Sequence, residues 1–297
     1  MPDARDLLPQ TEAVNPQTSG LDRRSTVDLV QLLAAEQREA VDAVVAQSAA
    51  IAVAVDEIAK RLRVGGRLHY VGAGTSGRLG FLDASEMPPT FGTPPSLVCG
   101  HIAGGITALT RAIEGAEDDG DSGALEIDGH VQAGDAVVGI SASGGAPFVL
   151  RAIDAARAAG AWTLGVANSP DAPLLRAADL GIVLLTGAEP LTGSTRLKAG
   201  TSQKVLLNTI STAAMVRLGK VYDNLMVDMV ATNNKLHARA RRLVERIAQV
   251  DPERSQALLD ASDGRVKVAV VMAKHGIDAA GARALLESHG GDLRASL

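Results

Sequence analysis

Aromatic side chains are almost missing: three Phe, two Tyr and one Trp in 297 residues. An aromatic core is excluded, so the interior must be built from Ala, Val, Leu and Ile. That palette suits close helix packing and buried parallel strands. Cysteine occurs once, at Cys99, which rules out an internal disulfide, and no CxxC or Cys/His cluster is present. The six histidines are scattered and no HExxH pair occurs, so no metal and no cofactor are expected. A dense Lys/Arg block is lacking too, and the net charge is −5. The short stripe of Arg239, Arg241 and Arg242 reads as the solvated face of a helix, and no nucleic-acid partner is expected. The longest uncharged apolar stretch, Ala43 to Val55, is too short to span a bilayer. Met1–Asp6 has no apolar signal core. A soluble cytoplasmic protein with no membrane contact is the expectation. What the chain does have is 46% hydrophobic and 21% charged residues, a globular composition, and 31 Gly for tight turns and close backbone approach.

Residues 1–24 are polar, carry Pro9 and Pro16, and read as an arm. Ser25 and Asp28 form a capping-box-like start. Apolar residues then recur at helical spacing from Val27 to Leu62, predicting two helices or one bent helix that ends at Gly65-Gly66. The period changes at Arg67–Val71, a short continuous apolar run. Ala136–Ile140, Thr163–Ala167 and Leu180–Leu185 resemble it, as strands buried on both faces should. Helical stretches at Phe148–Ala159 and Pro173–Ala177 fall between them, which predicts a parallel α/β sheet flanked by helices. Long helices are predicted over Lys198–Leu218 and Lys235–Val250. Three short ones follow, over Glu253–Ala261, Arg265–Lys274 and Ala279–Ser288, as a small helical appendage.

Ligands of parallel sheets bind beyond the carboxyl ends of the strands. Two of those ends carry glycines and small hydroxyls: Gly74-Thr75-Ser76-Gly77, and Ser141-Ala142-Ser143-Gly144. Glycines let backbone N–H groups approach an anion, a following helix adds positive potential, and hydroxyls add donors without charge. Each loop alone also reads as an ordinary turn. The pair at corresponding positions points to a phosphate monoester. Neither is a Walker loop, and the GxGxxG of Gly72, Gly74 and Gly77 is a weak signal by itself.

Val71-Gly-Ala-Gly-Thr-Ser-Gly-Arg78 and Ser141-Ala-Ser-Gly144 resemble the sugar isomerase (SIS) domain. Four further stretches narrow the likeness: Leu82–Pro95, Glu114-Gly-Ala-Glu-Asp-Asp119, Leu191-Thr-Gly-Ser-Thr-Arg-Leu-Lys-Ala-Gly200 and Val221-Tyr-Asp-Asn-Leu-Met-Val-Asp228. Together they resemble the N-acetylmuramic acid 6-phosphate etherase family, from Asn15 nearly to the C-terminus. The resemblance implies a SIS-type three-layer α/β sandwich. It implies an arm with packing helices over 1–66, a sugar-phosphate domain over 67–250, and a small helical domain similar to ubiquitin-associated domains over 251–297. It also implies a metal-free lyase of cell-wall amino-sugar recycling. The family's two catalytic carboxylates map onto Glu86 and Glu117. Gly74, Thr75, Ser76, Gly77, Ser141, Ser143, Gly144, Ser194 and Thr195 would bind the substrate. The chain departs from the family in having Gly145 and Ala146 where Arg and Thr are usual, which removes one hydroxyl from the second loop.

Two carboxylates in unlike settings can divide acid and base work. Following the family, Glu86 is the acid and Glu117 the base. Met87 and Pro88-Pro89 beside Glu86 predict its burial, which would raise its pKa. Glu117, amid Glu114, Asp118, Asp119 and Asp121, reads on its own as part of a solvated acidic loop. Asp83 is a rival carboxylate that reads as a brace. The histidines read as structural and Cys99 as a buried small residue. A sugar-phosphate-binding regulator of the glucokinase regulatory protein type and a sugar-phosphate isomerase are the alternatives. Ala-rich helices with surplus apolar surface, and the habit of SIS domains to pair, predict a homodimer.

Overall fold

The computed structural model describes residues 10–229 and 234–297; residues 1–9 of the predicted arm lie outside them. The chain forms two compact units, one of residues up to Ala84 with Ser96–Ser211, the other of Ser85–Pro95 with Thr212–Leu297.

The first unit is built on five parallel strands: β1 Leu68–Gly72, β2 Val98–Ile102, β3 Ala136–Ile140, β4 Trp162–Ala167 and β5 Leu180–Val183. They pair in the order β2-β1-β3-β4-β5. Leu68 lies opposite both Val98 and Ala136, and Ala136 opposite Trp162. Every residue of β1 and β3 is buried, as their continuous apolar sequences require. Helices flank the sheet. Three precede it, α1 Thr26–Glu36, α2 Arg38–Ala46 and α3 Ser48–Arg63, where the sequence predicts at most two. The extra breaks fall at Gln37 and Gln47, whose N–H groups tighten the preceding helix ends. Ser25 caps α1 by accepting the Asp28 N–H, and its hydroxyl donates to the Asp28 carboxylate, as the capping pattern predicts. The arm lies on this unit: Thr11, Asn15 and Thr18 are buried, and the Asn15 amide donates to Glu36 and to the Ala188 carbonyl.

Three elements differ from the periodicity. α4, Gly74–Phe91, continues through Pro88 and Pro89, whose missing N–H groups fall in its last turn. β2 was hidden by Gly100 and His101. A Cβ at Gly100 would meet the Phe81 ring at 2.8 Å, so glycine is what admits this strand beside α4. α5, Gly120–Ile127, is disguised by its glycines; a Cβ on Gly123 would strike the Phe148 carbonyl of α6, Pro147–Ala158. α7 spans Pro173–Ala177 and α8 spans Lys198–Arg217.

The second unit has a two-stranded hairpin, β6 Val221–Tyr222 and β7 Leu225–Met226, turning at Asp223 with φ +54°. Four helices follow: α9 Asn234–Ala248, α10 Pro252–Ala261, α11 Val266–His275 and α12 Ala279–Ser288. They bury Val244, Leu258, Val270 and Ala282 in a common core. Lys267 on α11 is buried and donates to Asp228 and to the carbonyls of Gly219 and Gly291. Burial presses its pKa down against the opposing pull of Asp228.

Candidate functional site

In the order 2-1-3 the chain leaves β1 toward one edge of the sheet and β3 toward the other. The divergence opens a crevice at their carboxyl ends, where ligands of such sheets bind. Both Gly/hydroxyl loops occupy it. In the first, a Cβ at Gly72 would sit 2.6 Å from the Gly77 nitrogen, so the pair of glycines lets strand and helix touch. In the second, Gly144 has φ +68°, and a Cβ there would strike the Ala172 side chain. Gly74 and Ser143 are exposed, Thr75 is half-buried, and Ser76, Gly77, Ser141 and Gly144 are buried.

The hydroxyls of the two loops are committed differently. Ser141 Oγ accepts the Gly144 N–H at 3.1 Å and Ser143 Oγ the Gly145 N–H at 3.3 Å. Ser76 Oγ instead donates to Gln203 Oε1 at 2.8 Å. Gln203 Nε2 donates to Asn168 Oδ1 at 2.9 Å, and Asn168 Nδ2 donates to the Leu184 carbonyl and to Ser202 Oγ. The Asn168 N–H also binds the Ala142 carbonyl of the second loop.

Ser194 and Thr195 lie half-buried just before α8, and the Gly200 N–H bonds back to the Thr195 carbonyl. A Cβ on Gly200 would contact the Thr75 methyl, so the first turn of α8 lies against the first loop. Glu189, fully buried, accepts the N–H groups of Lys198 and Ala199 and fixes the start of α8. Burial raises its pKa. Lys198, also buried, reaches Glu36 and Glu39. Asn168, Glu189, Lys198 and Gln203 were not singled out from the sequence. For Lys198 and Gln203 the signal is a run of polar residues at the head of α8 with no solvent face to explain it; Asn168 and Glu189, outside the helices and strands, carry none.

Of the carboxylates, Asp83 is a brace: buried, it accepts from Tyr70, Asn208 and Ser211. Glu117 is exposed in a short 3-10 turn, Ala116–Asp118, that leads into α5. Arg78 holds the preceding segment through the carbonyls of Ala108 and Arg111. Glu86 is exposed on α4, contrary to the burial its neighbours predict. The helix turns Ala84 and Met87 inward and Glu86 outward. Cys99 is half-buried, its thiol directed at the Ser96 carbonyl.

Charge gathers at the other end of the sheet. Asp135 accepts the N–H groups of Arg67 and Gln132 and the Arg67 guanidinium. Burial works against its ionisation, but these donors win and hold its pKa below the usual range. His69 Nδ1 meets His101 Nε2 at 2.9 Å, and His101 Nδ1 meets Glu126. Burial, with His101 alongside, pushes the His69 pKa down to about 4. Among the described residues no three His, Cys, Asp or Glu side chains are arranged to hold a metal ion. No helix there is long and apolar enough to cross a membrane.

Fold and crevice define a SIS-domain protein. The SIS domain family matches residues 120–213, and the glucokinase regulatory protein N-terminal SIS domain matches residues 50–157. A phosphoheptose isomerase from Francisella tularensis shares the fold, with TM-score 0.50 and 15% identity over 65% of this chain and 100% of its own. So does a protein of E. coli CFT073, with TM-score 0.50 and 18% identity over 68% of this chain and 97% of its own. Sequence relatives are far nearer. The N-acetylmuramic acid 6-phosphate etherase of Salmonella agona (strain SL483) is 50% identical over 97% of both chains. That of Streptomyces avermitilis is 49% identical over 97% of this chain and 93% of its own. The chain belongs to the N-acetylmuramic acid 6-phosphate etherase family.

Proposed function

We propose that this chain is a carbon–oxygen lyase that cleaves the D-lactyl ether of N-acetylmuramic acid 6-phosphate. The products are N-acetylglucosamine 6-phosphate and D-lactate. The observation that carries the reading is identity of 50% with a named etherase along 97% of the chain. The crevice fits it. Two loops of backbone N–H groups and hydroxyls meet at the β1/β3 switch point, the first opening the 18-residue helix α4, a setting for a phosphate dianion. In this reading Gly74, Thr75, Ser76, Gly77, Ser141, Ser143, Gly144, Ser194 and Thr195 bind the sugar phosphate.

An alkoxide is a poor leaving group, so the ether needs help. In the open-chain sugar the C1 aldehyde acidifies the C2 proton, and the lactyl ether sits at C3. A base removes the C2 proton, the C3–O bond breaks as an acid protonates the lactate oxygen, and an unsaturated aldehyde remains. Water then adds, its oxygen to C3 and a proton to C2. Glu117 is assigned as the base and Glu86 as the acid. General acid catalysis by a carboxyl calls for a water-excluded setting. Glu86, exposed in the free chain, acquires one when substrate or a second subunit covers it.

We assign the chain a cytoplasmic homodimer. Val27, Val30, Val41, Val45 and Val53 on α1–α3 are exposed, a run of apolar surface that a second copy would cover. A fully active monomer by light scattering would overturn that assembly. The match to the glucokinase regulatory protein domain favours a second reading, a sugar-phosphate sensor, which needs the loops but no acid and base. Release of D-lactate from N-acetylmuramate 6-phosphate by the purified protein supports the etherase. Binding without lactate release supports the sensor, and aldose–ketose conversion without lactate an isomerase.

A further inference from the structure

The hydrogen bonds behind the first loop run in one direction, and that direction has a consequence for the ligand. The Leu184 carbonyl can only accept, so Asn168 must turn its Nδ2 toward it. Ser202 agrees: its hydroxyl donates to the Ala199 carbonyl and accepts from Asn168. Asn168 Oδ1 is thereby left to accept from Gln203 Nε2, and Gln203 Oε1 to accept from Ser76. The Ser76 proton is spent inward. Ser141 and Ser143 are the reverse case: their oxygens accept backbone N–H groups, and with the two hydroxyls 3.5 Å apart one can donate to the other while the second proton is left for a ligand. Asn168, Ser202 and Gln203 are each at most 1% exposed, so no water competes for these bonds.

We propose that Gln203 and Asn168 are positioning residues: their amides fix the polarity of the Ser76 hydroxyl, so that Ser76 offers the sugar phosphate an acceptor while the Ser141–Ser143 pair offers a donor. The relay also sits beside the second loop, because the Asn168 backbone N–H binds the Ala142 carbonyl. This rests on the reading of the crevice as the sugar-phosphate site. The phosphate is then held by backbone N–H groups of the first loop and a hydroxyl of the second. Ser76 faces a ligand donor, such as a sugar hydroxyl.

Reversing the polarity tests it. In Gln203→Glu a carboxylate still accepts from Ser76 but cannot donate to Asn168, and it places a negative charge behind the phosphate loop. Once protonated it has one C=O and one O–H and reproduces the amide pattern. Affinity for N-acetylglucosamine 6-phosphate is measured as a ratio to the parent at each pH, which cancels the ligand's own titration. No side chain of the relay is titratable, so the parent has no matching response. The expected result is binding at least about tenfold weaker than the parent near pH 8, recovering to within about threefold near pH 5.5. Gln203→Leu should be weak across the whole range. Asn168→Asp, whose ionised form repels the Leu184 carbonyl, should show the same acid recovery and serves if Gln203→Glu does not fold. A ratio that does not change with pH in a folded variant of either site overturns the proposal. A parent that does not bind N-acetylglucosamine 6-phosphate overturns the functional reading instead.

Discussion

The two ends of the five-stranded sheet handle polar groups in opposite ways. Toward the amino ends of β1 and β3, Arg67, Asp135 and His69 are charged or titratable, and His69 reaches on to His101 and Glu126. In the two loops at the carboxyl ends of β1 and β3, and in the Gln203–Asn168 relay behind them, the polar groups are uncharged hydroxyls, amides and backbone N–H groups. Ser143 there is exposed to solvent, and each end keeps a buried polar atom without a hydrogen-bond partner, the Ser169 hydroxyl at this one and His69 Nε2 at the other. A network of paired charges stabilises a fold. An open neutral one leaves donors for an anion and adds no counter-charge that would hold the product too tightly. The density of titratable groups is therefore a poor guide to the site in this protein. The cluster richest in His is the structural one.

The comparison predicts that damage at the carboxyl ends costs activity and damage at the amino ends costs stability. The largest effect is chemical. Glu117→Gln, an amide that cannot take the C2 proton, should slow lactate release by about 10²–10⁴-fold, some 3–5 kcal/mol of barrier, with little change in melting temperature. Turnover near the parental rate would reject the base assignment.

At the amino ends the effect is on folding. His69 binds a proton at about 4 when folded and at its ordinary 6.5 when unfolded. Below the unfolded value the unfolded chain takes up the proton first, so stability rises with pH. Stability is full above about pH 6.5 and falls by about 3 kcal/mol through His69 alone as pH drops to about 4. His101, lowered by burial, acts in the same direction. The urea midpoint followed against pH measures this, and His69→Leu should flatten the slope without altering sugar-phosphate affinity near neutral pH.

The smallest effect lies at Ala146. Ala146 occupies the N-cap of α6, with Pro147 following, and makes no side-chain cap bond. Ala146→Thr should restore a cap worth about 1 kcal/mol and raise the melting temperature. It should also tighten sugar-phosphate binding, because the new hydroxyl lies beside the second loop. A stability gain without tighter binding would confine Thr at this position to capping.

The strands buried on both faces were legible because burial writes itself as continuous apolar sequence. β3 and α7 match the predicted spans residue for residue, and β1, β4, α6 and α8 shift by one residue at one or both ends. β2 and α5 were not legible, since their close packing is achieved by Gly100 and Gly123, and glycine signals turns. The two loops stood out by their Gly/Ser composition. The supports behind them did not, because Gln203 and Asn168 act through partners 127 and 35 residues away in sequence, from Ser76 to Gln203 and from Asn168 to Gln203. The neighbours of Glu86 in sequence predict its burial, whereas a helix sets burial by its face and leaves Glu86 exposed.

The claim that matters most is that an ether is broken here by elimination and rebuilt as an alcohol by water. Turnover of N-acetylmuramate 6-phosphate in heavy, oxygen-labelled water reads it directly. The account predicts N-acetylglucosamine 6-phosphate with deuterium at C2 and labelled oxygen at C3, and unlabelled D-lactate oxygen at the former ether position. Label in the lactate hydroxyl, with C2 and C3 of the sugar unlabelled, would mean hydrolysis at the lactyl carbon and would contradict it.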